Sequence, residues 1–177
     1  MLESFRSLFK SVDLEAQPVD LNEIALGALD VLHGELDDHG VEARTELAPE
    51  LPLVPGHSGQ LQEVMLNLVR NAIEAMDSTT DRARVLRVRT ERDGRRDAIV
   101  VSVEDSGPGI DPEKVDSIFD AFVTTKPQGM GLGLAICRMI ISRHNGQLSA
   151  PADNRSGALF QFTLPSKSTV RSSTPSL

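Results

Sequence analysis

The stretch LQEVMLNLVRNAIEAM, residues 61–76, decides how this chain is read. Apolar side chains cover almost its whole helical circumference: Leu61, Val64, Met65, Leu66, Leu68, Val69, Ala72, Ile73, Ala75 and Met76. At roughly 100° per residue, the polar residues Glu63, Asn67, Arg70, Asn71 and Glu74 fall inside one arc of about 100°, and Gln62 near the start is the one polar residue outside it. The spacing predicts a long helix over 58–77, buried except for a narrow polar line. Asn67 and Asn71 are four apart and share that line. Asparagine is a poor helix former, because its side chain competes for backbone hydrogen bonds. Two of them on an apolar helix suit a ligand. A carboxamide oxygen can hold a hard cation such as magnesium, and its NH₂ can meet a phosphate. The pattern also fits an ordinary amphipathic helix with its polar stripe in water, and spacing alone names no cation.

Outward from this helix, helices and strands come in mixed order. Upstream, Asp20 is an N-cap candidate with Glu23 three residues on, opening a helix that ends near Gly40. VEARTEL alternates as a strand, and APELPLVPG reads as loop. Downstream, RVLRVRTERD and DAIVVSVED are strands joined by a hairpin turn at Asp93-Gly94. DPEKVDSIF is expected to be a short helix with Pro112 in its first turn, and Gly133 to His144 a longer one. GQLSA and ALFQFTLP close the series as strands. The expected fold class is α/β: a two-layer sandwich with a mixed, mostly antiparallel sheet packed on one layer of helices.

The 177 residues suit one domain with a core of its own. With six Phe and no Trp or Tyr, that core rests on Leu, Val, Ile and Ala. A net charge of −8 argues against a nucleic-acid or anionic-membrane partner, so any phosphate must be held by local groups. The single cysteine, Cys137, excludes an internal disulfide and fits a reducing, cytoplasmic setting. No apolar run is long enough to span a membrane. Leu2, Phe5, Leu8, Phe9 and Val12 have helical spacing, and the last dozen residues are Ser/Thr-rich, as in disordered tails.

Two further segments carry chemistry. VVSVEDSGPGI runs a strand into Asp105, which shares a face with Val101 and Val103 and so points toward the core at a sheet end. A carboxylate there needs a donor, and a purine amine would supply one. Gly107 and Gly109 would let the backbone pass close to a ring. A plain strand-to-helix turn has the same composition. In TTKPQGMGLGLAI, residues 124–136, glycines at 129, 131 and 133 precede a helix. Unpaired N–H groups and the positive end of the helix dipole favour an anion there, with Lys126 adding charge. The segment does not follow a strand, so neither a Rossmann nor a P-loop reading fits. A flexible surface loop is the alternative.

Taken together, NLVRNAIEAM, EDSGPGI, IFDAF and the Gly-x-Gly-x-Gly segment resemble, in order and separation, the ATP-binding domain of sensor histidine kinases. That domain belongs to the superfamily shared with gyrase, Hsp90 and MutL. The resemblance covers about residues 20–165 and implies the Bergerat fold, with ATP and Mg as ligands. It implies that Asn71 ligates magnesium with Asn67 beside it, and that Asp105 accepts from the adenine amine. Gly107 and Gly109 would form the turn under the base, and Phe119 and Phe122 would anchor a lid. Lys126, Gly129, Gly131, Leu132 and Gly133 would wrap the phosphates. In ATP-hydrolysing relatives the position of Asn67 holds a glutamate base, which asparagine cannot replace, so transfer is favoured over hydrolysis.

The family's acceptor is a histidine on a dimerisation domain. His33, His39, His57 and His144 lack that context and are expected to be surface or capping residues. The resemblance therefore implies the end of a dimerisation helix at 1–14, the ATP-binding catalytic domain at 15–165 and a tail at 166–177. Its partners would be a histidine-bearing dimerisation domain and a response regulator receiver domain. A GHKL-type ATPase switch, in which ATP closes the lid to control association, is the alternative.

Overall fold

The computed structural model describes residues 15–123, 131–151 and 157–166. The helical pattern at 2–12, the dimerisation-helix assignment at 1–14 and the tail beyond Ser166 lie outside them. The described residues form β1 (Gln17–Val19), α1 (Leu21–Val31), α2 (His33–Asp38), β2 (Val41–Leu47), β3 (Val54–Gly56) and α3 (Ser58–Ala75). Then follow β4 (Arg84–Asp93), β5 (Ala98–Asp105), α4 (Gly133–Arg143), β6 (Gln147–Ser149) and β7 (Leu159–Pro165). The main sheet has the order β2-β4-β5-β7-β6, parallel only at β2–β4 and antiparallel elsewhere. This is the expected two-layer sandwich. Among the described residues no helix is long and apolar enough to cross a membrane.

Strand alternation sets the layers. On β4, Leu86, Val88 and Thr90 are buried while Arg87 and Arg89 are part-exposed. Register places Val88 opposite Val103, and Val101 opposite Phe162. Against this face α3 buries Leu61, Val64, Met65, Leu68, Val69, Ala72 and Ile73, the side chains larger than alanine each stabilising by roughly 1.5–3 kcal/mol relative to exposure. Helices α1 and α4 flank it, and the inner faces merge into one hydrophobic core. On the outer face Arg87 and Arg89 lie between Glu46 of β2 and Glu104 of β5, at 2.9–3.5 Å. Pairs this exposed contribute little stability.

Asp20 caps α1 as expected, its side chain accepting from the Asn22 N–H at 2.8 Å. The helix breaks at Leu32 and resumes as α2, which ends before Gly40 in the left-handed conformation (φ 63°).

Three local expectations are corrected. The segments around Pro18 and Pro55 form an antiparallel ribbon, β1 with β3, in which the prolines face each other. Proline argues against a strand because it lacks an N–H, but a narrow two-stranded ribbon has edge positions that need no donor. The hairpin places Asp97, not Gly94, in the left-handed region (φ 48°), while the Asp93 carboxylate accepts from the Arg95 and Arg96 N–H groups. DPEKVDSIF is a run of turns rather than an α-helix. Lys114, Ser117 and Asp120 each donate to the carbonyl three residues back. Phe119, at its end, is buried and holds the segment down.

Candidate functional site

The polar line of α3 connects the other two motifs. Asn67, Asn71 and Ala75 succeed one another at four-residue steps along one face, spanning about 12 Å of helix. At one end Gly133 lies beside Asn67, where a Cβ on the glycine would sit 3.4 Å from Asn67 Oδ1. At the other end Gly107 lies against Ala75, where a Cβ would sit 3.1 Å from the Ala75 carbonyl oxygen. Asn71 stands between them, half-buried. The helix, the acidic turn and the end of the glycine segment thus converge.

Asp105, at the end of β5, is 3% exposed. Its Oδ1 accepts from the Gly107 N–H at 2.8 Å and the Ala158 N–H at 3.3 Å. Among the described residues no donor reaches Oδ2. Burial pushes the carboxyl pKa up, the two N–H bonds pull it down, and the neighbouring Glu104 charge raises it further.

The backbone around Asp105 is crowded. Gly157, at φ 114°, leaves no room for a side chain, since a Cβ would run into the Asp105 carbonyl oxygen. Gly109, at φ 86°, packs on the Gly157 carbonyl. Ser106 is tied to β4: its N–H donates to the Val85 carbonyl, and its hydroxyl accepts from the Val85 N–H and donates to the Ala83 carbonyl. Arg82 donates to the Ser106 carbonyl at 2.9 Å and the Gly107 carbonyl at 3.1 Å.

Before α4, Gly131 takes φ 66° and accepts at its carbonyl from the Phe122 N–H at 2.9 Å. A Cβ there would lie 2.7 Å from the Phe122 carbonyl carbon. Leu132 is the N-cap of α4 and supplies no side-chain bond, so the first N–H groups of that helix have no capping side chain. Lys126 and Gly129 lie outside the described residues. Phe119 is buried edge-on to Phe160, whereas Phe122 is 76% exposed. Among the described residues no cluster of three or more His, Cys, Asp or Glu could hold a metal ion. Among the described residues, Asn67 lies beside Gly133 and Asp105 beside Gly107, with Asn71 between them on the helix, while Lys126 and Gly129 fall outside that set; Gly157, Ala158 and Arg82 were missed. The glycine before the last strand was the signal for the first two. Arg82 had none, because one arginine in a polar loop looks like any other.

A profile of the family described as histidine kinase-, DNA gyrase B- and HSP90-like ATPase matches residues 56–168. The chain belongs to this family. Within it, the catalytic domain of histidine kinase ThkA superposes with TM-score 0.75 at 32% identity, covering 86% of this chain and 97% of that one. ThkA in complex with the response regulator TrrA aligns at TM-score 0.74 and 25% identity, over 94% and 47% of the two chains. Full-length ShkA in complex with AMPPNP aligns at TM-score 0.76 and 26% identity, over 88% and 32%. In sequence, the sensor protein TdiS of Thauera aromatica is 38% identical over 153 residues, 85% of this chain. The chain spans only 28% of the length of TdiS.

Proposed function

We propose that residues 15–165 form the ATP-binding catalytic domain of a cytoplasmic kinase unit that donates the γ-phosphoryl of ATP to a histidine on a dimerisation domain. The observation carrying this reading is Asp105: a buried carboxylate with Oδ1 filled by two main-chain N–H groups and Oδ2 left for a ligand's donor. An adenine amine fits that donor role, and a guanine carbonyl in its place would be repelled. Gly107 and Gly109 pass under the base without side chains. Gly131, Leu132 and Gly133 present main-chain N–H groups and a helix N-terminus to the phosphates, with Lys126 and Gly129 completing the set.

The carboxamides suit magnesium, a cation commonly held by one or two protein groups plus substrate phosphates. Asn71 would be its ligand, with Asn67 beside it. When bound, the ion would neutralise phosphate charge. The chain's own contribution is positioning and main-chain electrostatic stabilisation of the transferred group. Asn67 has no basic atom with which to activate water, which favours transfer over hydrolysis. The family of TdiS, the nucleotide analogue on ShkA and the response regulator on ThkA support the kinase reading and a receiver-domain partner.

The test is calorimetric titration with ATP, with and without magnesium. It is followed by labelled ATP mixed with a dimerisation-domain fragment carrying its histidine. Label on that histidine is expected. Steady phosphate release without any acceptor would favour the ATPase-switch reading instead, and absence of nucleotide binding would overturn both.

A further inference from the structure

Arg82 stands outside every motif, in the loop between α3 and β4, yet its guanidinium points at the turn that follows Asp105. Nε donates to the Ser106 carbonyl at 2.9 Å and Nη2 to the Gly107 carbonyl at 3.1 Å. The first of these bonds has a specific consequence. The Ser106 carbonyl and the Gly107 N–H belong to one planar peptide group. Arg82 grips that group by its oxygen, and Asp105 Oδ1 grips it by its hydrogen at 2.8 Å. A cationic donor on the carbonyl polarises the peptide and strengthens the N–H as a donor at the other end. On its other side Ser106 is already fixed to β4 through its N–H and hydroxyl. Rotation about the bonds leading out of Ser106 is the remaining freedom of this peptide, and the arginine fork removes it by holding two successive carbonyls.

We propose that Arg82 is a positioning residue for base selection. It fixes the 106–107 peptide, which in turn holds the Asp105 carboxylate so that Oδ2 faces the ligand. The inference rests on the reading of Asp105 as the group that accepts from the adenine amine. Arg82 itself touches no nucleotide in this scheme. Its side chain is 39% exposed, and Asp81 lies 3.9 Å away, so its charge is partly screened. The hydrogen bonds, rather than long-range charge, are what the proposal requires.

The decisive variants are Arg82→Gln and Arg82→Lys in the full chain, read by ATP and GTP affinities and by the backbone amide resonance of Gly107. Wild-type protein should prefer ATP to GTP. Arg82→Gln should reduce that preference about tenfold, chiefly through weaker ATP binding, and should shift the Gly107 amide proton. Lysine keeps the charge but cannot bridge both carbonyls, so Arg82→Lys should fall between the two; if the glutamine variant fails to fold, the lysine variant decides. An unchanged preference with an unmoved Gly107 resonance would overturn the proposal. So would an equal loss of ATP and GTP, which is the mark of a merely structural arginine. If the wild-type chain itself shows no preference for ATP, the fault lies in the role given to Asp105, and this inference falls with it.

Discussion

The two ends of the proposed site, one for the base and one for the phosphates, are built in opposite ways. At the base end a buried carboxylate is fixed by two N–H groups, three glycines, a serine tied to the neighbouring strand and an arginine fork. At the phosphate end Gly131, Leu132 and Gly133 are half-buried backbone, next to the exposed Phe122 and Val123. A flat base is recognised by one or two directional bonds, so its partner must be held still. Phosphates are recognised by many weaker main-chain dipoles, and there the chain needs only bare backbone at a helix start.

The sharpest way to break this contrast is at Gly157. Gly157→Ala places a methyl group in the Asp105 carbonyl and a side chain at φ 114°. We expect a loss of stability of about 3 kcal/mol or more in urea denaturation, with the base end disordered first. An alanine tolerated within 1 kcal/mol or so would show that the base end is less rigid than drawn.

Asp105→Asn should separate binding from stability. Asparagine keeps the Oδ1 acceptor for Gly107 and Ala158 but puts an NH₂ where the adenine donor would arrive. We expect ATP affinity to fall about 100-fold. The folded pKa of Asp105 lies above its ordinary value, so its stabilising contribution belongs to the protonated form and is lost as pH rises through that pKa. Asparagine carries no such titration, so the variant without nucleotide should lose this pH dependence and, above the folded pKa of Asp105, melt no lower than wild type.

Gly131→Ala probes the other end. At φ 66° with only 2.7 Å to the Phe122 carbonyl carbon, a methyl group displaces the 122–123 backbone. ATP should weaken about tenfold while adenosine binds as before. Equal losses for both would erase the distinction between the ends.

The smallest effect lies outside both, in His144. It joins the start of α3 to the end of α4: Nδ1–H donates to the Ile140 carbonyl at 2.8 Å, and Nε2 accepts the His57 N–H at 3.0 Å. Burial holds its pKa below the usual 6.5, helped by the nearby His57 and opposed by the Ile140 bond. The unfolded chain takes up the proton first, so stability should decline as pH falls below 6.5, toward the folded pKa. His144→Gln should flatten that slope in melting curves taken between pH 5 and 7, a range bracketing the ordinary histidine value.

What the sequence made legible follows from how far each signal reaches. Helix α3 was clear because its pattern repeats over many turns, and β4 and β5 because alternation persists along them. The ribbon of Pro18 and Pro55 was hidden because three-residue strands have no period to read. The residue types at Asp105, Asn67, Asn71 and Gly133 suggested ligand chemistry and the resemblance gave each a role; the structure places Asn67 beside Gly133 and Asp105 beside Gly107. Gly157 and Ala158 act through main-chain atoms, on which side-chain identity leaves almost no imprint, and the Arg82 guanidinium reaches main-chain carbonyls that no sequence pattern marks. His144 was expected as a surface or capping residue; it caps, but from a buried position.

Helix α3 touches the acidic turn at Ala75 and the glycine start of α4 at Asn67. It therefore works as a ruler, with the separation of its two marks fixed by helical rise alone. Adding one residue between them would lengthen the gauge by about 1.5 Å and swing one mark about 100° around the axis. Substitutions along this segment are tolerable wherever packing allows, but its length is not free to drift.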